Sequence, residues 1–280
     1  MPNCIICNKP DNSLIYSDTL LKCHSCGYIT ANIDIGAEEL NAIYSKNYFK
    51  GEEYLDYLSD KTTIQKNFSQ RLKHINIDSV KKSNALEIGC AYGFFGELFT
   101  NKYKTANYTG LDIVSDAVNH GKNNLKLNLV SQDYLTYDAP QKYTHVFMWD
   151  VIEHLQRPDL FIEKISKDTQ AGSELHITTG DIGALLPKIQ QHNWRMIHPP
   201  THLHYFTKRT LTVLLQNNGF EVKKIFYKPV FRSVKQIFYS LFLLNKSNKR
   251  FVNKIFRQVP GEWFIPINTY DIMYCIAVKK

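Results

Sequence analysis

The apolar positions of this chain change their rhythm near Asn84. Beyond it, short apolar runs alternate with stretches in which apolar residues recur three and four apart. "NALEIG" reads as a strand, "FFGELFT" opens a helix, "YTGLDI" is a strand, "VSDAVNHGKN" a helix and "LNLVSQD" a strand. "THVFMWD" is the next strand, "RPDLFIEKISKDT" a helix and "SELHITT" a strand. The short runs have the length of strands, and the spacing of three and four marks one face of a helix. Strands separated by helices predict an α/β fold: a mainly parallel sheet with helices on both faces. Upstream, "GAEELNAIYSKNYFKGEEYLDYL" carries apolar residues at Leu40, Ile43, Tyr44, Tyr48, Tyr54 and Leu58, with helical spacing broken near Gly51. A helix is expected around 60–76.

The first thirty residues follow neither rhythm. They hold four of the six cysteines, as Cys4-x2-Cys7, fifteen residues, then Cys23-x2-Cys26. Two such pairs place four thiolates around one tetrahedral ion, a zinc-site spacing. "MPNCIICNKP" lacks the apolar core of a secretion signal. A reducing cytoplasm is therefore expected, where disulfides are rare. A four-cysteine site is closed, so it folds a ribbon and performs no chemistry. Cys90 and Cys275 read as small buried hydrophobes.

No apolar stretch reaches the ~18 residues of a membrane span. "IFYSLFLL" is too short and contains Ser240. Charge is unevenly placed. Residues 221–280 carry twelve Lys and Arg against three Asp and Glu, so +9, while residues 1–220 sum to −1. A basic end on a neutral body predicts contact with an anionic partner or a solvated basic face. Basic and large apolar residues are interleaved from 229 to 257, which suits peripheral contact with an anionic membrane.

Ligands of a parallel sheet bind beyond the carboxyl ends of its strands. The first strand ends in "LEIGCAYGFFG", with Glu87, Gly89 and Gly93 before a helix. Glycines let a ligand approach the backbone, and the helix start offers free N–H groups. No Lys-Ser/Thr pair follows, as a triphosphate loop requires, and the full dinucleotide glycine pattern is absent. Asp112 ends the second strand, where an acidic residue can accept from ribose hydroxyls. Asp133 ends the third, placed for an adenine amino group. Asp150, Glu153 and His154 follow the fourth. Each could singly be a cap or a turn residue; together, each at a strand end, they mark a ligand edge.

These motifs resemble the class I S-adenosylmethionine-dependent methyltransferases over about residues 84–225. "LEIGCAYGFFGELF" is similar to their first motif, "GLDIV" to the second, "SQDYL" to the third and "FMWDVIEHL" to the fourth. "LLQNNGFEVKKI" looks like the family's last helix and following strand. The resemblance implies a Rossmann-like fold and S-adenosylmethionine as cofactor. It implies that Gly89, Cys90 and Gly93 contact the methionine moiety, with Glu87 near its amino group. Asp112 and Ile113 would hold the ribose and adenine edge, Asp133 and Tyr134 would flank the adenine, and Trp149 and Asp150 would line the sulfonium end. Ala91 stands where many members carry a central glycine; the expectation is that it keeps φ < 0.

A four-cysteine ribbon, then "IYSKNYFKGEEYLDY", then this core resembles a branch common in bacterial gene sets for sugar and surface-glycan assembly. "NWRMIHPPTHLHYFTKRTL" also looks like that branch. The implied acceptor is a small molecule or glycan, with Tyr44, Tyr48 and Phe49 brought towards the cofactor mouth. A hydroxyl or amine acceptor needs a proton acceptor, for which histidine is suited. His154 and His202 are the candidates, with His198 and His204 beside them. Asp150-x-x-Glu153-His154 is similar to an acidic stretch of the ubiquinone-pathway O-methyltransferases, which use magnesium, so Mg²⁺ is carried as an alternative second ion. The expected organisation is a zinc ribbon (1–32), a helical and aromatic lobe (33–80), the cofactor-binding core (81–228) and a basic-apolar segment completing it (229–280). Two other functions stay open: a zinc-ribbon RNA methyltransferase and a non-catalytic scaffold. The ribbon carries two lysines and two aspartates in residues 1–30, which disfavours nucleic acid.

Overall fold

The computed structural model describes residues 3–36, 38–40, 43, 57–75, 77, 83–235, 237 and 263–280. Tyr44, Tyr48, Phe49 and residues 238–257 lie outside them. The amino end is an antiparallel meander of β1 (Asn12–Ile15), β2 (Leu20–Cys23) and β3 (Ile29–Ala31). Asn12 faces Cys23 and Leu20 faces Ala31. Helix α1 (Lys61–Arg71) follows, inside the range the spacing predicts.

The core begins with β4 (Asn84–Ile88), α2 (Phe94–Lys102), β5 (Asn107–Asp112), α3 (Ser115–Leu125) and β6 (Leu129–Ser131). It continues with β7 (Tyr143–Trp149), α4 (Pro158–Asp168), β8 (Thr169–Gly180), the short α5 (Leu185–Gln190), β9 (His204–Tyr205) and α6 (Lys208–Asn217). The chain closes with β10 (Phe220–Tyr227), β11 (Val230–Ser233), β12 (Phe264–Ile267) and β13 (Ile272–Lys279). Seven strands form one sheet in the order β10-β13-β8-β7-β4-β5-β6. β4 runs parallel to both β5 and β7, and β7 to β8; β13 is antiparallel to both its neighbours. The Rossmann-like, mainly parallel architecture is thus present, with the carboxyl-terminal segment contributing β13 between β8 and β10.

Central strands buried on both faces need near-continuous apolar runs. Leu86, Val146, Phe147 and Met148 are fully enclosed, as are Leu175 and Ile177. Phe95 packs on Phe147 and Trp149 at centroid distances of 4.9 and 5.2 Å. Such pairs add about 0.5–1.5 kcal/mol each beyond their buried area. Cys90 and Cys275 are buried free thiols, as expected. Helix α6 is opened by a reciprocal cap: Thr210 N–H donates to the Thr207 hydroxyl at 3.1 Å, and Thr207 N–H to the Thr210 hydroxyl at 2.9 Å.

The chain passes from β4 to β5 and β6 on one side, then crosses to the other for β7 and β8. This reversal opens a crevice beyond the carboxyl ends of β4 and β7. A second join is non-local. β9 pairs antiparallel with β3, Ile29 facing Tyr205 and Thr30 facing His204, so it becomes the fourth strand of the ribbon sheet. The Thr30 hydroxyl donates to Leu203 O at 2.9 Å, and Asn217 Nδ2 donates to Ile6 O at 3.2 Å. Cys4, Ile6, Cys23 and Tyr28 share one apolar cluster with Phe206 and Leu211. No described helix is long and apolar enough to cross a membrane.

Candidate functional site

The loop after β4 sets the site. Gly89, Ala91 and Gly93 have φ of +75°, +47° and +80°. At Gly89 an added Cβ would lie 2.4 Å from Val151 Cγ2, so both the conformation and the space require glycine there. Ala91 overturns the expectation of negative φ. Its N–H donates to Asp112 Oδ2 at 2.7 Å, while Gly89 and Cys90 N–H both donate to Leu111 O, at 2.8 and 3.0 Å. These bonds to the end of β5 hold the loop in a turn that only a left-handed residue completes. Asp112 Oδ1 accepts from Val114 N–H at 2.9 Å. Burial raises the Asp112 pKa, and the N–H groups of Val114 and Ala91 partly offset it.

A cleft of about 420 Å³ opens at this edge, within the size range of cofactor sites. Of the sequence-predicted residues, Gly89, Asp112, Ile113, Asp133, Tyr134, Trp149, Asp150 and His154 line it. Glu87, Cys90, Gly93 and His202 are not on its wall. Glu87 is buried behind it and accepts from the Tyr108 hydroxyl; burial pushes its pKa up to about 8. The Cys90 side chain is buried. Gly93 is the cap residue before α2. Tyr134 turns its hydroxyl to Asp168 at 2.8 Å. Asp133 caps the turn after β6, accepting from Leu135 N–H at 2.8 Å.

Asp150 ends β7 with φ +56°, its N–H donating to Thr178 O at 3.1 Å. Its carboxylate meets the Arg71 guanidinium at 2.7 Å, and that guanidinium lies over the Trp149 ring at 5.1 Å. Arg71 escaped the sequence reading because its partner is 79 residues away and α1 gives no local sign of it. Tyr57 and Leu40, from the amino-terminal lobe, also line the cleft. Tyr57 stacks on Tyr92 at 5.6 Å.

His154 and His202 are brought together, ring centroids 4.5 Å apart, with His198 3.9 Å from His202. His154 Nδ1 donates to Thr201 O and His202 Nδ1 to Met196 O, each at 2.8 Å. A carbonyl only accepts, so both Nδ1 atoms carry the proton and both lone pairs sit on Nε2. Burial lowers the pKa of His154 to about 4 and that of His202 further, helped by the neighbouring imidazoles. Glu153, 2% exposed, lies with them; burial and the Asp150 charge raise its pKa to about 8. His204 faces away, towards the Tyr28 hydroxyl of the ribbon.

The four ribbon cysteines converge. Cys4 Sγ is 3.5 Å from Cys26 Sγ, and Cys7 Sγ is 3.5 Å from Cys23 Sγ. These are not disulfides. Ligands ~2.3 Å from a tetrahedral zinc lie about 3.8 Å apart, close to this arrangement. The donor set fits zinc.

A family model described as a methyltransferase domain matches residues 58–225. The chain is 26% identical over 139 residues to malonyl-[acyl-carrier protein] O-methyltransferase 2 of Ilyobacter polytropus, covering 48% of this chain and 52% of that protein. It thus spans about half the length of that curated relative. Its fold is similar to that of a SAM-dependent methyltransferase from Archaeoglobus fulgidus, with TM-score 0.52 and 20% identity over 83% of this chain and 96% of the other. It is also similar to magnesium protoporphyrin IX methyltransferase from Synechocystis PCC 6803, solved with bound SAH: TM-score 0.50 and 13% identity over 83% of this chain and 91% of the other. At these identities the likeness is one of fold.

Proposed function

We infer an activity from one premise: the chain belongs to the methyltransferase domain family. The reading is methyl transfer from S-adenosylmethionine to a hydroxyl or amine of a small or glycan-type acceptor. The observation that carries it is the glycine loop tied by Ala91 N–H to Asp112, at the mouth of a cleft lined by every strand end from β4 to β7. Gly89 and Ala91 present backbone to the methionine end. Asp112 and Ile113 hold the ribose, and Asp133 and the Tyr134 backbone flank the adenine. Trp149 and Asp150 border the sulfonium, with Arg71 fixing Asp150.

When bound, the cofactor supplies an electrophilic methyl group. The acceptor's lone pair forms the new bond to that carbon as the carbon–sulfur bond breaks and its electron pair returns to sulfur. The residues of this chain align the two partners and exclude water. His154, which lines the cleft, serves the loss of the acceptor's proton, with Glu153 and His202 packed behind it. The curated relative is an O-methyltransferase, which supports an oxygen acceptor. The ribbon and the "HPPTHLHYF" segment, through their sequence resemblance, support a sugar or glycan. The four thiolates hold one structural zinc.

Calorimetry with S-adenosylmethionine tests the cofactor assignment. Asp112→Ala removes a charged acceptor, and a loss of about 1.5–3 kcal/mol in binding is expected. Unchanged affinity in a folded variant would sink the assignment.

A further inference from the structure

Besides the cysteine cluster, one other group of metal-ligating side chains gathers among the described residues: Glu153, His154 and His202, with one ligating atom of each within 4.8 Å of the others. We propose that these three residues form a second metal site, holding a divalent transition-metal ion at the edge of the cofactor cleft. Bonds of ~2.0–2.2 Å put three ligand atoms about 2.8–3.8 Å apart, so the cluster closes on an ion with side-chain shifts of up to about an ångström.

Three observations support an ion there. The first is the carboxyl of Glu153. It is 2% exposed, and neither oxygen makes a hydrogen bond of ordinary geometry. The Thr179 hydroxyl and the residue's own N–H approach it without completing such a bond, and no cationic side chain is in hydrogen-bonding contact. Buried polar groups are rarely left so, and a cation satisfies both oxygens. The second is the pair of imidazoles. Each donates Nδ1–H to a backbone carbonyl, Thr201 O or Met196 O, at 2.8 Å. That arrangement fixes the tautomer and the ring orientation of metal-binding histidines and leaves Nε2 as the ligand atom. The third is the backbone. Leu203 N–H and His204 N–H both donate to Glu153 O, at 2.9 and 3.1 Å. The loop that carries His202 is therefore tied to the residue that supplies the carboxylate, although they are far apart in sequence.

Two imidazoles and one carboxylate suit manganese, iron, cobalt, nickel or zinc, whereas magnesium prefers an all-oxygen shell. Asp150, the first acidic residue of the stretch, is not in the cluster; it is committed to Arg71. His154 also lines the cleft, so an ion on it borders the space where an acceptor oxygen would lie. The ion's use rests on the methyl-transfer reading, but its binding does not.

The test is Co²⁺ titration of the full-length protein with its ribbon zinc in place, followed by visible absorption. One further Co²⁺ per chain is expected, with ligand-field bands and without the near-ultraviolet thiolate band that exchange into the ribbon would give. Glu153→Gln and His202→Gln, each checked for an unchanged zinc content and retained S-adenosylmethionine binding, should weaken Co²⁺ by at least about a hundredfold. No binding beyond the zinc, or equal binding in both folded variants, overturns the site. Cobalt binding without S-adenosylmethionine binding would sustain the site and sink the methyl-transfer reading instead.

Discussion

Ala91 sits at φ +47° because its N–H must reach Asp112. A left-handed conformation costs an L-residue about 1–2 kcal/mol. Ala91→Gly removes that strain but frees the unfolded chain, at a cost of about 0.4–1 kcal/mol. A net gain of up to about 1.6 kcal/mol is expected, read as a rise in Tm; a fall would mean that the methyl group contributes more by packing. Glu87 gives a pH-dependent prediction. Its pKa is about 8 in the fold against an ordinary 4.5, so between those values the folded chain holds the extra proton. Stability therefore falls as pH rises through this window, by up to about 1.4 kcal/mol per unit. In the metal-free protein Glu153 acts with the same sign. His154, with a pKa of about 4, opposes it only below its ordinary 6.5. His74, His202 and His204 oppose it in the same way, and this opposition fades above about pH 7, where the histidines have lost most of their protons in both states. Glu87→Gln should reduce the decline there, measured by urea unfolding at each pH. An undiminished slope would show that Glu87 is ionised in the fold.

β9 has two residues and pairs, among the described residues, with β3 of the ribbon. The ribbon thus buttresses the segment that carries His202, and the proposed zinc should matter beyond its own strands. Metal analysis should give about one zinc per chain from the closed four-thiolate site. Cys23→Ser, which removes one ligand, should raise amide exchange in β1, β2 and β3 and across residues 202–206, while β4 and β7 stay protected. Protection persisting at 202–206 would show that the core alone holds β9. The ligand spacing of the cysteines was readable because knuckles are local. The β3–β9 pairing was not, because two residues leave no period and their partners are about 175 positions away in the chain.

Across the whole molecule, charge is segregated. From Val222 to Gly261 there is no Asp or Glu, while ten Lys and Arg alternate with large apolar residues. An interfacial segment of this kind should bind anionic but not neutral vesicles in co-sedimentation, and lose them at high salt. Binding to neither would reduce the basic end to a solvated face. The described part of this stretch already divides its roles: β10 pairs with β13 in the sheet, and β11 pairs with β12.

The alternation of strands and helices, and the acidic residues at the strand ends, belonged to the sequence itself. Parallel strands are buried on both faces and must be apolar throughout, and the crossing of the chain at β4 puts their ends at one edge. The four-thiolate knuckles were equally local. Only the tertiary structure decided the rest. Arg71 meets Asp150 across 79 residues, Glu153 and His154 meet His202 across the loop before β9, and Glu87 turns behind the cleft to Tyr108. Ala91 turns left-handed because the loop's hydrogen bonds to β5 outweigh the preference of a single residue. Such contacts depend on which surfaces the packed sheet brings within hydrogen-bonding reach, and no spacing along the chain encodes that.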